Sequence, residues 1–380
     1  MSTIKNTINN VVEKSGMSID KIFFVSISII LVIIVINWIY SKLSLNSKNC
    51  KRLDKIYPTK PSISPINYSH EDYKDMSLRD YYVKSAYNCC AAGDYKNDYV
   101  NTCALKTCIE QGARFLDFEI YSISGQPVIS VSSKNNYNIK QSYNSIPLGE
   151  AMKIINRYAF SSGYCPNSTD PLILHFRIMS NIVEMYDVMA NILLDSFNNR
   201  LLGKKYSFST YNSNFGAVKI KELKSKVVIM VDNKNDTFKQ SNTLLNELVN
   251  LNSNNSKLMQ TLRYYDIKNT HEPNDLLFNN KQYMTACIPD LNQFPTNYSS
   301  ALCMYYGCQF IAMAFQKNDN NMIAYNKYFD SKNSAFVLKP EKLRYIPKFV
   351  EIKGPPPDKV SYGTRTTEYD FIDGPRDFNI

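Results

Sequence analysis

The longest uninterrupted apolar stretch of the chain lies near its start. Residues 22–40, IFFVSISIILVIIVINWIY, carry no charge and lie between Lys21 and Lys42. As an α-helix these 19 residues would span roughly 28 Å, enough to cross the hydrocarbon core of a bilayer. Trp38 and Tyr40 close the stretch, where a signal-peptidase site would need small residues. The pattern predicts a retained transmembrane helix over 22–40, and the competing interpretation is a cleaved signal peptide.

Polar segments flank this helix on both sides. Residues 1–21 form a polar N-terminal segment. Residues 41–74 are polar and contain Pro58, Pro61 and Pro65, a composition typical of a linker to a folded domain.

From residue 75 to 350, short apolar runs typical of strands alternate with segments of helical spacing. The strand-like runs are ARFLDFEIY, QPVISVS, DPLILHFRI, SKVVIMVD and QFIAMAFQ, and the helix-like segments include NTCALKTCIEQ, LGEAMKIINRYAF and NIVEMYDVMANILLDSF. The alternation predicts one α/β domain over 75–350, either a barrel or a doubly wound sheet. Residues 351–380 are a proline-bearing tail, too short for a further domain.

One of the apolar runs carries a pair of acids. Asp117 and Glu119 stand two residues apart in GARFLDFEIY, so on a strand both carboxylates point to the same face. Burying two like charges is costly unless a cation lies between them. The sequence therefore predicts a cation beside this pair.

Composition narrows the choice of partners. The 44 basic and 34 acidic side chains give a net charge of +10, which favours an anionic partner such as a phospholipid surface. The chain has no zinc-spaced Cys/His set, Walker-type glycine loop or basic run with interleaved aromatic residues, so we expect no nucleic-acid binding. Nine cysteines without CxxC spacing predict mostly reduced thiols, with room for one pair.

Six blocks of the chain share their order and spacing with a known family. They are SAYNCC at 85–90, GARFLDFEIY at 112–121, QPVISVS at 126–132, DPLILHFRIMS at 170–180, NYSSALCMYYGCQFIAMAFQ at 297–316 and FVLKPEKLR at 336–344. The first four resemble the X region of phosphoinositide-specific phospholipase C, and the last two resemble its Y region. The resemblance covers roughly residues 75–346. It implies a TIM-type (β/α)8 barrel of the phospholipase-C-like phosphodiesterase type.

The resemblance also implies a chemistry. Members cleave inositol phospholipids with two histidines as general base and acid, and with a calcium ion held by an asparagine and three carboxylates. Carried over residue by residue, the asparagine corresponds to Asn88 and two of the carboxylates to Asp117 and Glu119.

The remaining family positions are occupied by other residues. The two histidine positions hold Tyr87 and Val131, and the third carboxylate position holds Arg177. The histidines of the chain all lie elsewhere, at His70, His175 and His271. The resemblance thus predicts that the acid, the base and the calcium site are lost, leaving no metal or other cofactor.

Arg177 is then the expected cation beside the acidic pair. A guanidinium can pair with both Asp117 and Glu119, and it repels calcium. His175 lies two residues before Arg177 and shares its face of the strand. We expect it to be a buried, hydrogen-bonded core residue, and the alternative is a displaced general base.

Other catalytic interpretations of these residues are weaker. Asp117 and Glu119 could form a live acid/base pair as in glycosidases, but an arginine opposite them favours structural ion pairing. Tyr87 could donate a proton, although its ordinary pKa near 10 makes it a poor base. Cys89 and Cys90 could act as nucleophiles, but no histidine follows at a suitable place.

The favoured interpretation is a membrane-anchored pseudoenzyme that binds anionic phospholipid headgroups or an unknown protein partner. The alternatives are an active phosphatidylinositol phosphodiesterase with relocated catalytic groups and a plain structural or interaction scaffold of a viral envelope. Abundant Ile, Asn, Lys and Tyr, typical of an AT-rich genome, are the reason to consider a large DNA virus as the source.

Charge asymmetry predicts the orientation of the helix. Residues 41–60 carry six basic side chains, whereas Lys5, Lys14 and Lys21 are the ones that precede the span. The positive-inside rule therefore places the barrel on the cytosolic side. On that side the five sequons, at Asn67, Asn167, Asn235, Asn254 and Asn297, would stay unmodified.

Overall fold

The computed structural model describes residues 19–70, 73, 75–211, 213–232, 236–253, 259–346, 365–367 and 376–378. The predicted N-terminal segment up to residue 18, the sequons at Asn235 and Asn254, and most of the predicted tail lie outside these residues. The chain divides into two units, Met1–Arg344 and Tyr345–Ile380. In the second unit, two short strands pair antiparallel, with Arg365 opposite Phe378.

The strands are, in chain order, β1 (Tyr81–Ala86), β2 (Phe115–Ile123), β3 (Gln126–Ser130), β4 (Ile146–Pro147), β5 (Leu172–Ile178), β6 (Val227–Asp232), β7 (Leu251–Ser253), β8 (Met259–Arg263), β9 (Met284–Ile288), β10 (Phe310–Met313), β11 (Phe336–Leu338), β12 (Arg365–Thr367) and β13 (Arg376–Phe378). The α-helices are α1 (Ile19–Ile56), α2 (Thr102–Glu110), α3 (Leu148–Ala159), α4 (Glu184–Phe197), α5 (Asp236–Gln240), α6 (Leu244–Leu248), α7 (Tyr264–Lys268), α8 (Pro273–Gln282), α9 (Ser300–Tyr305) and α10 (Asn320–Ser331).

Eight parallel strands form a nearly closed barrel. The ladder runs in the order β7–β6–β5–β2–β1–β10–β9–β8, and its two end strands lie beside each other. Every residue of β1, β5, β6 and β9 is buried, because helices cover the outside of the barrel while side chains fill its interior. The TIM-type barrel predicted from the family resemblance is confirmed.

One predicted strand lies outside the barrel. The run QPVISVS forms β3, which pairs antiparallel with β2 and in turn with β4. The cause is the turn between β2 and β3, where Ser124 and Gly125 both have positive φ, at 51° and 76°. Two successive left-handed residues make the tight turn that sends a strand straight back along its partner.

The first helix is longer than the predicted span. α1 continues to Ile56, because residues 41–56 contain no glycine or proline and the first helix breaker is Pro58. The segment predicted as a linker over 41–74 therefore begins as a helix. Its end packs on the barrel through Leu53, which contacts Ala92 and Ala104.

A disulfide joins this helix to the barrel. Cys50 of α1 is bonded to Cys103 in the first turn of α2, with their Cα atoms 5.9 Å apart. The seven other cysteines of the chain are free thiols and all of them are buried. The apolar part of α1 is long enough to cross a membrane, and its side chains from Phe23 to Tyr40 are exposed rather than packed on the barrel. α1 is thus a candidate transmembrane helix.

Candidate functional site

Strand register brings the predicted site residues together at the mouth of the barrel. β2 and β5 pair in parallel, so Asp117 lies beside His175 and Glu119 beside Arg177. β1 ends one residue before Tyr87, and Asn88 follows with a positive φ of 44°, which asparagine tolerates better than most residues. This bend directs the backbone N–H of Asn88 to Oδ2 of Asp117, 3.0 Å away.

Arg177 lies between the two carboxylates and binds both. Its Nε and Nη2 donate to the two oxygens of Asp117 at 2.9 and 2.7 Å, and its Nη1 donates to Oε1 of Glu119 at 2.8 Å. Nη2 also donates to Oδ1 of Asn88 at 2.8 Å. The guanidinium carbon lies 4.6 Å from the centre of the Tyr87 ring, a cation–π contact. The side chain of Arg177 is only 6% exposed, so these bonds form largely out of water.

The other side of Asp117 is bound by histidine. Nδ1 of His175 lies 2.7 Å from Oδ1 of Asp117, and the His175 ring packs at 5.2 Å on that of Phe115. Nε2 of His175 is buried without a hydrogen-bond partner among the described residues. His175 therefore lies one layer below the mouth, within the barrel interior.

Glu119 is enclosed as completely as Asp117. Its Oε2 accepts from the Tyr121 hydroxyl at 2.8 Å and from the backbone N–H of Ser132 at 2.9 Å. Its Oε1, already bound by Arg177, also accepts from Nδ2 of Asn88 at 3.3 Å. All four carboxylate oxygens of the acidic pair are thus occupied by donors.

These contacts fix the protonation states at the mouth. Burial alone would raise the pKa of Asp117, but the Arg177 guanidinium and the His175 hydrogen bond hold that pKa well below its usual value. Burial alone would lower the pKa of Arg177, yet Asp117 and its neighbours raise it well above the ordinary value. Burial also raises the pKa of Tyr87, so its phenol stays neutral and cannot act as a base. Asp117 and Arg177 therefore both favour their charged forms.

Calcium does not fit this arrangement. The ion takes six to eight oxygen ligands, whereas every side-chain oxygen of Asp117, Glu119 and Asn88 accepts a hydrogen bond and a guanidinium lies among them. Within the described part of the chain, no group of three or more His, Cys, Asp or Glu side chains is arranged to hold a metal ion.

Tyr87 and Val131, which the resemblance aligns with the two histidines of the family, are both buried. The ring of Tyr87 lies between the Arg177 guanidinium and the ring of Tyr95. The centres of the two tyrosine rings are 5.8 Å apart. Val131 is buried after β3, and its carbonyl accepts from the backbone of the following loop. Burial raises the pKa of both Cys89 and Cys90 well above the usual thiol value, so neither thiol is an activated nucleophile.

Among the described residues, the cavity that Arg177 lines is small. It has a volume of about 10 Å³ and is lined by Asn135, Tyr137, Arg177, Ile178, Met179, Asp232, Arg263 and Ile288. That is roughly the space that one water molecule needs, so this cavity between described residues is too small for a sugar-sized ring. Sequence reasoning missed Tyr137 and Arg263. Tyr137 belongs to a polar stretch without periodicity, so no signal in the sequence indicated it. Arg263 ends β8, and its position could have indicated a role, because functional side chains of such barrels lie at the carboxyl ends of the strands.

Comparison with known proteins places these observations in a family. Residues 74–233 match the model of the phosphatidylinositol-specific phospholipase C X domain, and residues 223–342 match that of its Y domain. A comparison with curated protein sequences gives no match.

Two solved structures share the fold. The crystal structure of L. pealei PLC21 matches with a TM-score of 0.58 and 18% identity over 71% of this chain and 38% of that one. S. officinalis PLC21 matches with a TM-score of 0.57 and 18% identity over 73% of this chain and 39% of that one. This chain therefore spans about two-fifths of the length of those proteins.

Removing the central cation should destabilise the barrel. Arg177→Ala leaves two buried carboxylates unpaired, a loss that typically costs about 3–5 kcal/mol, so we expect the melting temperature to fall by several degrees. Arg177→Glu should be worse in chelator, because three carboxylates then converge beside Asn88. Since those four side chains would recreate a calcium-binding set, millimolar calcium should restore much of the lost stability by binding only the folded state.

The controls are the unmodified protein, which should show no calcium-dependent shift, and Arg157→Ala, which removes an exposed arginine of α3 and should change little. Thermal melts of the four proteins with calcium and with chelator decide the matter. A calcium shift in the unmodified protein, or none in Arg177→Glu, would mean that Arg177 does not occupy the metal position.

Proposed function

The chain belongs to the phosphatidylinositol-specific phospholipase C family, and from that premise we propose that it is a membrane-anchored pseudoenzyme whose barrel recognises anionic phospholipid headgroups or a protein partner without hydrolysing lipid. The observation that carries this proposal is the position of Arg177. It binds both carboxylates and Asn88 at the mouth of the barrel.

The chemistry of the mouth supports the absence of turnover. Phosphodiester cleavage of the family type needs a base for the attacking hydroxyl and an acid for the leaving oxygen. The corresponding positions hold the buried phenol of Tyr87 and the aliphatic Val131. His175, the nearest imidazole, is fully buried and bound to Asp117 below the mouth. Relocated catalytic groups would need open space beside them, and the cavity over Arg177 holds about 10 Å³.

Charge and the first helix support a membrane partner. The net charge of +10 favours anionic headgroups, and basic residues concentrate just after the apolar part of α1. Because the mouth is filled, recognition would use the loops around it rather than the barrel interior.

Hydrolysis should be absent under all conditions. We expect the full-length chain, reconstituted in vesicles of phosphatidylinositol, to release inositol phosphate at the background rate with calcium or with chelator. Tyr87→His combined with Val131→His should not recover turnover, because the arginine still occupies the place of the metal. Calcium-stimulated release by the unmodified protein would refute the pseudoenzyme proposal.

Lipid recognition can be separated from recognition of a protein. The chain without residues 1–40 should co-sediment with vesicles containing phosphatidylserine or phosphoinositide more than with pure phosphatidylcholine, and high salt should weaken this binding because it screens the charges. Equal, weak binding to all vesicles would leave the protein partner, or a plain scaffold role, as the function of the barrel.

We propose that the barrel lies on the cytosolic side, as the lysines after the apolar span favour. The Cys50–Cys103 disulfide points to an oxidising compartment, but seven cysteines are free thiols. We give the basic residues more weight than the disulfide, because basic residues beside a span set its orientation while the helix inserts into the membrane. The proposal that the membrane is a virion envelope rests only on the amino-acid composition.

Of the described sequons, Asn67 is the informative reporter of topology. It is exposed, whereas Asn167 and Asn297 are buried and their side chains are hydrogen-bonded within the fold. We expect no glycan on Asn67 in protein made in a glycosylating cell, with Asn67→Gln as the control for any shift in mass. A glycan at Asn67 would place the barrel on the opposite side.

A further inference from the structure

The end of α1 shows which face of the barrel the apolar helix leaves. Nδ2 of Asn101, just before α2, donates to Asn46 at 2.8 Å, and Nε2 of Gln111, just after α2, donates to the carbonyl of Thr59 at 3.0 Å. The last turns of α1 therefore run parallel to α2. Since α2 follows β1, it starts at the carboxyl-terminal face of the barrel, which carries the mouth, and runs back to the opposite face. The residues before Asn46 consequently project beyond the mouth face.

The segment at this rim is firmly held. Asn49 is buried and donates to Oδ1 of Asp98 at 2.9 Å, and the next residue, Cys50, is bonded to Cys103. The backbone of Gly93 packs directly against this hydrogen bond. Any side chain at position 93 would clash with it, because a Cβ there would lie 2.0 Å from Oδ2 of Asp98 and 2.5 Å from Nδ2 of Asn49. The helix is thus clamped where it crosses the rim.

The part of α1 between the apolar span and the rim is short, and its sequence contains no helix breaker. No glycine or proline interrupts residues 41–56. Asn49 at the rim lies nine positions after Tyr40, the end of the apolar span, which corresponds to about 14 Å of helix. β2 runs four residues past Glu119, so its hairpin tip at Ile123 reaches roughly 13 Å beyond the site. The mouth face is therefore within reach of the headgroup layer.

Exposed apolar side chains gather on that same face. The β2–β3 hairpin, the loop after β3 and the segments that follow the carboxyl ends of β5, β8 and β9 carry exposed apolar side chains. They are Ile123, Ile139, Ile182, Tyr265, Leu291 and Phe294, each more than two-fifths exposed. Phe278 and Tyr305 have comparable exposure, and they lie on α8 and α9, which lead back to the amino ends of β9 and β10. A ring of separate apolar side chains around a mouth suits the boundary between headgroups and acyl chains.

We propose that residues 41–56 are a rigid stem that holds the mouth face, with its rim of apolar side chains, in the headgroup layer of the membrane that α1 crosses. The proposal rests on the membrane anchor proposed above and adds the orientation of the barrel. The occupant of this face is the lipid of the chain's own membrane, because the apolar helix leaves from the same face. The orientation is therefore set by the fold before any ligand binds.

Tryptophan quenching in vesicles can test the orientation. The chain has one tryptophan, Trp38, so Trp38→Phe provides a silent full-length background. In it, Phe294→Trp reports on the mouth face and Phe278→Trp on the opposite side, at matched exposures of 56% and 60%. With phosphatidylcholine carrying a spin label near the headgroup, we expect the emission of Phe294→Trp to be quenched and blue-shifted and that of Phe278→Trp to be unchanged. Equal quenching of the two, or quenching of Phe278→Trp alone, overturns the proposal.

The role of the stem needs a second variant. A flexible Gly-Ser insertion between Ser41 and Lys42 leaves the clamped residues intact but uncouples the barrel from the span. It should reduce the quenching of Phe294→Trp towards the level of Phe278→Trp. Unchanged quenching would show that the rim binds lipid by itself and that the stem does not set the orientation.

Failure of the anchor is distinguishable from failure of the orientation. The full-length chain should resist alkaline extraction from membranes, and Trp38 of the unmodified protein should be quenched. If the chain is extracted, the anchor is wrong and the stem proposal falls with it. If the chain resists extraction while Phe294→Trp stays unquenched, the anchor stands and only the orientation is wrong.

Discussion

The ion pair between Arg177 and the two carboxylates of β2 is the interaction on which the mouth of this barrel depends. In the family, the resemblance implies three carboxylates around a divalent ion, a net charge of about minus one. Here two carboxylates and one guanidinium give the same net charge. What changes is the space, because a guanidinium with its fixed donors is larger than a metal ion and cannot exchange its ligands for those of a substrate.

This substitution also explains why both acids persist. A buried carboxylate is tolerated when its oxygens are satisfied and its charge is compensated, and Asp117 and Glu119 meet both conditions through Arg177. The site thus holds its two acids by an arginine, with every carboxylate oxygen hydrogen-bonded. Such a buried pair is weak as a source of net stability, but it is costly to break from either side. The two acids and the arginine therefore depend on one another, because loss of any one of them leaves an uncompensated buried charge.

Part of this arrangement could be predicted from local periodicity, because the spacing of Asp117 and Glu119 places both on one face of a strand. Only the family resemblance predicts Arg177 beside them, and the register of β2 and β5 places it there. The short strands β7 and β8 could not be predicted, since three to five half-polar residues carry no clear period. The disulfide partners were equally hidden, because Cys50 and Cys103 are separated by 53 residues and meet through the docking of α1. Tyr137 lines the cavity beside Arg177 from the loop between β3 and β4, a polar stretch without a clear period.

The extent of α1 shows how a sequence pattern can be correct and still incomplete. Apolarity defines where the helix can lie in a bilayer, and it ends at Tyr40, but helix propagation continues until a residue forbids it. The chain provides no breaker before Pro58, so the span and its docking segment become one element. A flexible linker would let the barrel sample many orientations, whereas a continuous helix fixed by Asn49 and Cys50 transmits the direction of the span to the barrel. In the proposed arrangement, the surface that this direction presents to the membrane is the rim of loops, since the described cavity beside Arg177 is too small to admit a headgroup.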